Sequence, residues 1–137
     1  MATITLNTTK GELVDLMNGL FNSQDIKGKD FALTVSKNIS ILQKALADIE
    51  EIGRPSEEFV KFAHQIKSVQ EAGDQEGVKK MESENAELLA ERKLQIEKVQ
   101  KELKKDAKVI ELNVLTKTML PNDVTARQVG NLEKIII

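Results

Sequence analysis

The sequence predicts an α+β fold that is mainly helical, with antiparallel helices packed along one long helix and a minor two-stranded sheet. Long stretches place apolar residues at steps of three and four, which is the spacing of one helix face. Two short stretches instead alternate apolar and polar residues, as half-buried strands do. A chain of 137 residues is long enough for one modest core, so we expect residues 1–137 to form a single domain.

The longest predicted helix covers about residues 77–108 and is expected to organise the others. Glu, Lys, Leu, Ala and Gln dominate this stretch, and no proline interrupts it. At about 1.5 Å per residue the helix would span roughly 45 Å, so other elements pack along it or another chain covers part of it. From Leu89 onward the apolar residues repeat every seven positions and predict a narrow coiled-coil-like seam, on which Arg92 falls.

The first predicted strand covers about residues 3–7, where apolar and polar residues alternate. Thr9 and Glu12 then fit a capping box, in which a Thr hydroxyl and a Glu three residues later satisfy free amides at a helix start. The helix that follows is expected to end near Phe21.

Two more helices are predicted before residue 77. Asp30 can cap the first of them, and Gly53-Arg54-Pro55 ends it. Its predicted core line comprises Ala32, Val35, Ile39, Leu42, Leu46 and Ile49. The next helix starts at Pro55, and its apolar stripe comprises Phe59, Phe62, Ile66 and Val69.

The second predicted strand covers about residues 109–116, and two strands in an otherwise helical chain are expected to share one hydrogen-bonded ladder. A last helix is predicted over Val124–Lys134. The apolar residues 135–137 lie either in the core or between subunits. Three features together predict a homo-oligomer. They are the exposed strand edges, this apolar C-terminus and a helix seam that is longer than the rest of the protein.

Composition excludes several classes of function. A net charge of −2 argues against nonspecific binding to nucleic acid, and aromatic residues make up only 3%. Without cysteine there is no disulfide framework or thiolate metal site. No stretch is apolar enough for a signal peptide or a membrane span, which predicts a cytoplasmic protein without membrane partners.

No motif in the sequence predicts an enzyme. The chain lacks a Gly-rich phosphate loop, a nucleophile elbow and a dinucleotide fingerprint. His64 is the only histidine, and it lies beside the apolar stripe of its helix. A boundary position on the helix is favoured over a general base because no orienting partner is evident. We therefore predict no catalytic residue, metal ligand or cofactor.

The arginines carry the main binding hypothesis, since only three occur beside seventeen lysines. A guanidinium is preferred where planar contact with carboxylate or phosphate matters. These arginines either form surface or intersubunit ion pairs or line an anion pocket between protomers, and Lys27 and Lys29 form a weaker cluster of the same kind. The candidate ligand-binding residues are Arg54, Arg92, Arg127, Asn85, Asn122, Lys27, Lys29 and Phe31.

Arg92 needs a compensating group, because an unpaired buried charge on an apolar seam would cost several kcal/mol. Three partners are possible: a carboxylate such as Glu57 or Asp48, the same helix of another protomer, or an anionic ligand.

Four segments carry a family resemblance: TITLNTTKGELVDLMNGL, KGKDF, ENAELLAERKLQIEKVQ and LPNDVTARQVGNLEKII. In their order and layout they resemble small proteins of siphophages that infect Gram-positive bacteria, a family without assigned catalytic residues. The resemblance implies a phage protein expressed in the host bacterial cytoplasm. In size, helicity and solubility the chain is also similar to phage counter-defence sponges, oligomers that sequester nucleotide immune signals.

Two functions follow as expectations. The first is a non-catalytic homo-oligomer that binds and sequesters a small anionic ligand, most sharply a nucleotide-derived immune signal. The alternative is a phage structural or assembly protein that binds a protein partner through a helix face.

Overall fold

The computed structural model describes residues 2–137 and confirms the α+β, mainly helical class with a small antiparallel sheet. Two short 3₁₀ turns lie at Lys117–Met119 and Glu133–Ile135. The principal elements are β1 (Thr3–Leu6), α1 (Lys10–Phe21), α2 (Lys29–Ala45), α3 (Ala47–Gly53), α4 (Glu57–Glu71), α5 (Gln75–Glu84), α6 (Ala86–Leu103), β2 (Ile110–Asn113) and α7 (Ala126–Leu132).

The chain divides into two compact units. The first unit comprises the described residues up to Ile49 together with Glu102–Ile137, and the second comprises Glu50–Lys101. Whether residues 1–137 fold as one domain stays a prediction, because compactness alone does not measure independent folding. None of the helices within residues 2–137 has the length and apolar character needed to cross a bilayer.

The sheet of the first unit pairs β1 with β2, as the sequence predicted. The strands are antiparallel, with Thr3 opposite Asn113 and Leu6 opposite Ile110. Both are shorter than the predicted ranges 3–7 and 109–116 because only four residues of each join the ladder. Ile110 and Leu112 are buried on one face of β2, which follows the alternation expected of a half-buried strand.

The C-terminal isoleucines belong partly to this core. The Leu115 amide donates to the Ile135 carbonyl at 2.8 Å, and the Ile137 amide donates to the Leu115 carbonyl at 3.0 Å. Ile135 is fully buried, whereas Ile137 is exposed. The backbone beyond β2 is therefore paired with the chain terminus, which resolves the two alternatives for Ile135 in favour of the core.

A buried asparagine on α2 pairs with the backbone of β2. The Asn38 Nδ2 atom donates to the Asn113 carbonyl at 2.8 Å, and the Asn113 amide donates to Asn38 Oδ1 at 2.8 Å. Asn38 is completely buried. One side-chain amide thus replaces a third strand at this point, because it offers the same donor and acceptor as a peptide group.

Helix α1 has the predicted N-terminus. Thr9 is its N-cap, and Thr9 Oγ1 accepts a hydrogen bond from the Glu12 amide at 3.2 Å. Helix α7 crosses α1 at Gly19, where an added Cβ atom would lie 2.9 Å from the Asn131 Cβ atom. This close approach requires glycine, since any larger residue would push the two helices apart.

Helix α2 differs from the prediction at its start. It begins at Lys29 after Gly28, whose φ of 138° only glycine adopts readily, so Asp30 lies inside the helix and is not its cap. Ala32 is exposed, whereas Phe31, Thr34 and the rest of the predicted core line are buried. The buried face is therefore rotated slightly towards Phe31.

The predicted continuous helix over 77–108 is two helices, α5 and α6, joined at Asn85. The Asn85 Nδ2 atom donates to the Met81 carbonyl at 2.8 Å, and the Asn85 backbone leaves helical geometry at φ −115° and ψ 29°. An asparagine side chain interrupts a helix in this way because it competes for backbone carbonyls. Neither α5 nor α6 contains a buried residue, so the core of the first unit lies on α1, α2 and β2 instead.

Two further helix starts follow from their caps. Ser56 caps α4 through a hydrogen bond from the Phe59 amide at 3.1 Å. Thr125 and Gln128 form a complete capping box at α7, which is shorter than the predicted Val124–Lys134 because a 3₁₀ turn replaces its last residues.

An ion cluster joins α1 to two other parts of the first unit. Lys10 Nζ contacts Asp48 Oδ2 at 2.9 Å and also bonds Glu102, which contacts Lys105 Nζ at 2.9 Å. The hydrogen bond to Glu102, followed by that to Asp48, raises the pKa of Lys10. The Lys10 ammonium lowers the pKa of both Asp48 and Glu102, and Lys105 adds to the effect on Glu102.

Replacing Asn38 with leucine is expected to destabilise the first unit. Asn38→Leu leaves the part-buried amide and carbonyl of Asn113 without partners, at roughly 1–3 kcal/mol for each group. Urea unfolding measures the loss. Ser40→Leu, at an exposed position of the same helix, is the matched control and should change stability by less than about 0.5 kcal/mol. Equal stability of the two variants would contradict the role assigned to Asn38.

The ion cluster should make stability depend on pH at both extremes. The lowered carboxyl pKa values stabilise the fold above about pH 4, and this contribution is lost as the pH falls further. The raised Lys10 pKa stabilises it below about pH 10.4, and that contribution is lost at higher pH. Thermal melts of Lys10→Met should show a lower Tm than wild type at neutral pH. The Tm of this variant should also fall less steeply towards acid pH and towards alkaline pH. Lys44→Met, which removes an exposed ammonium, should retain the wild-type profile.

Candidate functional site

A groove of about 570 Å³ lies in the second unit. It is formed by the end of α3, the start of α4 and one side of α6. Its apolar residues are Ile52, Phe59, Leu88 and Leu94. Its charged residues are Arg54, Glu91, Arg92 and Lys98, so that cations outnumber carboxylates by three to one.

Two side chains of α6 cap the end of α3. Arg92 Nη1 donates to the Gly53 carbonyl at 2.8 Å, and Gln95 Nε2 donates to the Ile52 carbonyl at 2.9 Å and also to the Arg54 carbonyl. These carbonyls lie where a helix leaves acceptors without partners and carries partial negative charge. Arg92 and Gln95 therefore fix the wall of the groove that α3 provides.

The Arg92 guanidinium is half-buried and is held by neutral groups. Its Nη1 atom also donates to Gln95 Oε1 at 2.7 Å, and its carbon atom lies 5.5 Å from the centre of the Phe59 ring. The ring stacks obliquely on Phe62, with centroids 6.2 Å apart. A cation at this distance is attracted to the face of an aromatic ring.

A carboxylate partner, one of the three alternatives predicted for Arg92, is not found in the described chain. Within Glu50–Lys101, which includes Glu57, no carboxylate lies within 4.0 Å of the Arg92 guanidinium, and Asp48 pairs instead with Lys10 in the first unit. Carbonyl oxygens and a ring face compensate this cation because it remains partly in water and does not need a full counter-charge. Nε and Nη2 make no hydrogen bond to the described part of the chain.

Arg54 is brought to the same groove but is largely solvated. Its side chain is 68% exposed and lies 3.9 Å from Glu50 on the preceding turn, a distance at which an exposed ion pair contributes little. Of the eight residues predicted to bind ligand, Arg54 and Arg92 are the two that line this groove.

Asn85 lines a neighbouring groove of about 440 Å³, together with Glu84 and Glu87. Its amide nitrogen is already used by the Met81 carbonyl. The role of Asn85 in ligand binding stays a prediction. Four carboxylates line this groove beside a single cation, Lys61, so its charge is unfavourable for an anion.

The remaining five candidates belong to the first unit. Phe31 is almost fully buried and packs in the core, so it offers no ring for ligand stacking. Lys27 and Lys29 are exposed on either side of Gly28, whose backbone approaches Pro121 and so the turn that contains Asn122. Arg127 is exposed on α7.

Eight of the ten residues that line the groove were not among the predicted binding residues, and they include Phe59, Gln95 and Lys98. Phe59 had been assigned to a core stripe. Gln95 lies three residues after Arg92, a spacing that places both on one helix face, and this spacing could have identified it as a second polar residue of the seam.

A scan against protein-family models, a search of curated proteins and a search of solved structures found no match. Within residues 2–137 there is also no group of three or more His, Asp or Glu side chains placed to hold a metal ion. The groove places guanidinium and ammonium groups beside apolar side chains, a combination that suits an anion with an apolar part.

Removing the Arg92 side chain should cost modest stability. Arg92→Ala removes its hydrogen bonds to Gly53 and Gln95 and leaves no buried carboxylate unpaired, so we expect a loss of about 1–2 kcal/mol in the free protein. Chemical denaturation measures it, with Lys93→Ala at the adjacent exposed position as the control. A loss near 3–5 kcal/mol would instead indicate a broken buried ion pair.

Proposed function

We propose that this chain is a non-catalytic binding protein that holds a small anionic ligand in the groove of its second unit. The observation that carries the proposal is the Arg92 guanidinium, which lies over Phe59 with Nη1 engaged by neutral oxygens. Arg92 lines a groove that also contains Arg54 and Lys98, and its Nε and Nη2 donors make no hydrogen bond within the described chain.

The charge of the groove contrasts with that of the chain. The chain has a net charge of −2, whereas the groove has three cationic side chains and Glu91 as its carboxylate. A concave surface with one dominant sign of charge raises the local concentration of oppositely charged ligands. This favours a phosphate or carboxylate ligand over a cation.

The shape of the groove favours a ligand with an apolar or ring-containing part. Its volume of about 570 Å³ falls in the range of small-molecule sites. Leu88 and Leu94 offer contact area for a base or sugar, while the free donors of Arg92 suit paired phosphate oxygens. A nucleotide-type molecule combines these properties.

The sharpest form of the proposal is sequestration. A phage protein of this kind, acting as a homo-oligomer in the host bacterial cytoplasm, would hold a nucleotide-derived immune signal without altering it. Sequestration needs tight binding and no catalytic group. The family resemblance of the sequence supports this form.

The alternative is an assembly protein that binds another protein through a face of α6. Ile96 favours it, since this apolar side chain is 44% exposed. Leu94 is 59% exposed but lies two residues away and so on another face of the helix. Exposed apolar side chains contribute to protein-binding surfaces. Ile96 does not line the groove, whereas Leu94 does, so the two functions can be separated by mutation.

A nucleotide or second-messenger ligand should raise the melting temperature of the protein. A ligand at 100 times its Kd adds about 2.7 kcal/mol of stability. Arg54→Gln and Lys98→Gln should each weaken binding about tenfold, because each removes a charge-assisted contact. Lys101→Gln, one turn beyond Lys98 and exposed, should bind like wild type. Thermal shift identifies the ligand, and calorimetry measures its affinity for each variant.

Two outcomes would contradict ligand binding. One is a panel of anionic nucleotides that leaves the melting temperature unchanged. The other is a hit whose affinity is the same in wild type, Arg54→Gln and Lys98→Gln. Ile96→Ser should retain ligand binding, and loss of a protein partner in this variant alone would favour the assembly function.

A further inference from the structure

We propose that the outer edge of β1 is a self-association surface, on which β1 of a second copy pairs antiparallel to form a four-stranded sheet. The sheet of the described chain has two strands, β1 and β2, of four residues each. A two-stranded sheet is marginal in water by itself, and further strands stabilise it.

The register of the sheet shows which backbone groups of β1 point outward. The Val114 amide donates to the Ala2 carbonyl, and both backbone groups of Asn113 bond the Asn38 side chain, away from β1. Along an antiparallel ladder, residues whose backbone groups bond the neighbouring strand alternate with residues whose backbone groups point away from it. Thr3 and Thr5, opposite Asn113 and Glu111, therefore direct their amides and carbonyls away from β2.

These four groups have no hydrogen-bond partner within residues 2–137. Thr3 and Thr5 are exposed, so the edge is open to an incoming strand. Exposed edges are usually protected by charges, proline or bulges. The segment 2–9, with sequence ATITLNTT, contains no charged residue, proline or glycine.

A second copy of β1 fits this edge. With the two-fold axis at Ile4, Thr3 lies opposite Thr5 of the partner subunit, and all four outward groups form intermolecular hydrogen bonds. Ile4 then faces Ile4 of the partner subunit on the half-buried side of the strand, where aliphatic cross-strand pairs are stabilising. Identical uncharged strands meet without repulsion between like charges.

Sedimentation of the full chain and of Thr5→Pro tests this surface. Proline removes the outward amide of Thr5 and spares the ladder to β2, because that amide makes no bond to β2. We expect wild type to be a dimer at micromolar concentration and Thr5→Pro to raise the dimer Kd about tenfold or more. Thr5→Val keeps the amide and should remain dimeric. A monomeric wild type, or a Thr5→Pro variant that is folded and still dimeric, would overturn the proposal.

A single-cysteine cross-link tests the register even if Thr5→Pro does not fold. The chain has no cysteine, and facing positions of a non-hydrogen-bonded pair lie about 4.5 Å apart between Cα atoms, within reach of a disulfide. Under mild oxidation Ile4→Cys should become a covalent dimer. Ser40→Cys, exposed on α2, should not. Equal cross-linking of the two variants, or none in Ile4→Cys, would refute pairing at β1.

Discussion

The backbone of residues 110–115, four of which are buried, needs hydrogen-bond partners, and the first unit depends on this requirement. β1 pairs with β2 along one edge, Asn38 takes both backbone groups of Asn113, and the C-terminal residues pair with Leu115. Each buried group left unpaired would cost a large fraction of the free energy of unfolding of a small domain. Parts of the chain that are far apart in sequence are therefore held together by one short segment.

The same requirement, applied to a helix end, produces the candidate site. The last carbonyls of α3 have no partner within their own helix, and Arg92 and Gln95 supply donors from α6. Arg92 satisfies one carbonyl with one nitrogen and leaves other donors unused. A structural cap thereby places a cation in a groove above Phe59, which links the architecture of the second unit to the proposed anion binding.

Two of the ten residues that line the candidate groove, Arg54 and Arg92, were singled out by the sequence as binding candidates. The scarcity of arginine drew attention to Arg54 and Arg92, which the fold brings to one groove, and their role in ligand binding stays a prediction. The sequence did not identify what compensates Arg92, because a carbonyl at the end of another helix leaves no pattern among side chains. The burial of Phe31, which the sequence placed beside a binding cluster, was not predicted because the start of α2 after Gly28 depends on a backbone conformation.

By itself the sequence determined the α+β class, the pairing of the two strands, the Thr9 cap and most of the apolar face of α2, since these depend on local periodicity and capping chemistry. Tertiary structure decided where the core lies. The long Glu- and Lys-rich stretch has strong helix propensity but buries no residue in α5 or α6, because propensity favours a helix without giving it an apolar partner. The tertiary structure also decided the roles of two asparagines. Asn38 bonds the backbone of β2, whereas Asn85 interrupts a helix, because the same side-chain amide bonds whichever backbone groups the fold brings to it.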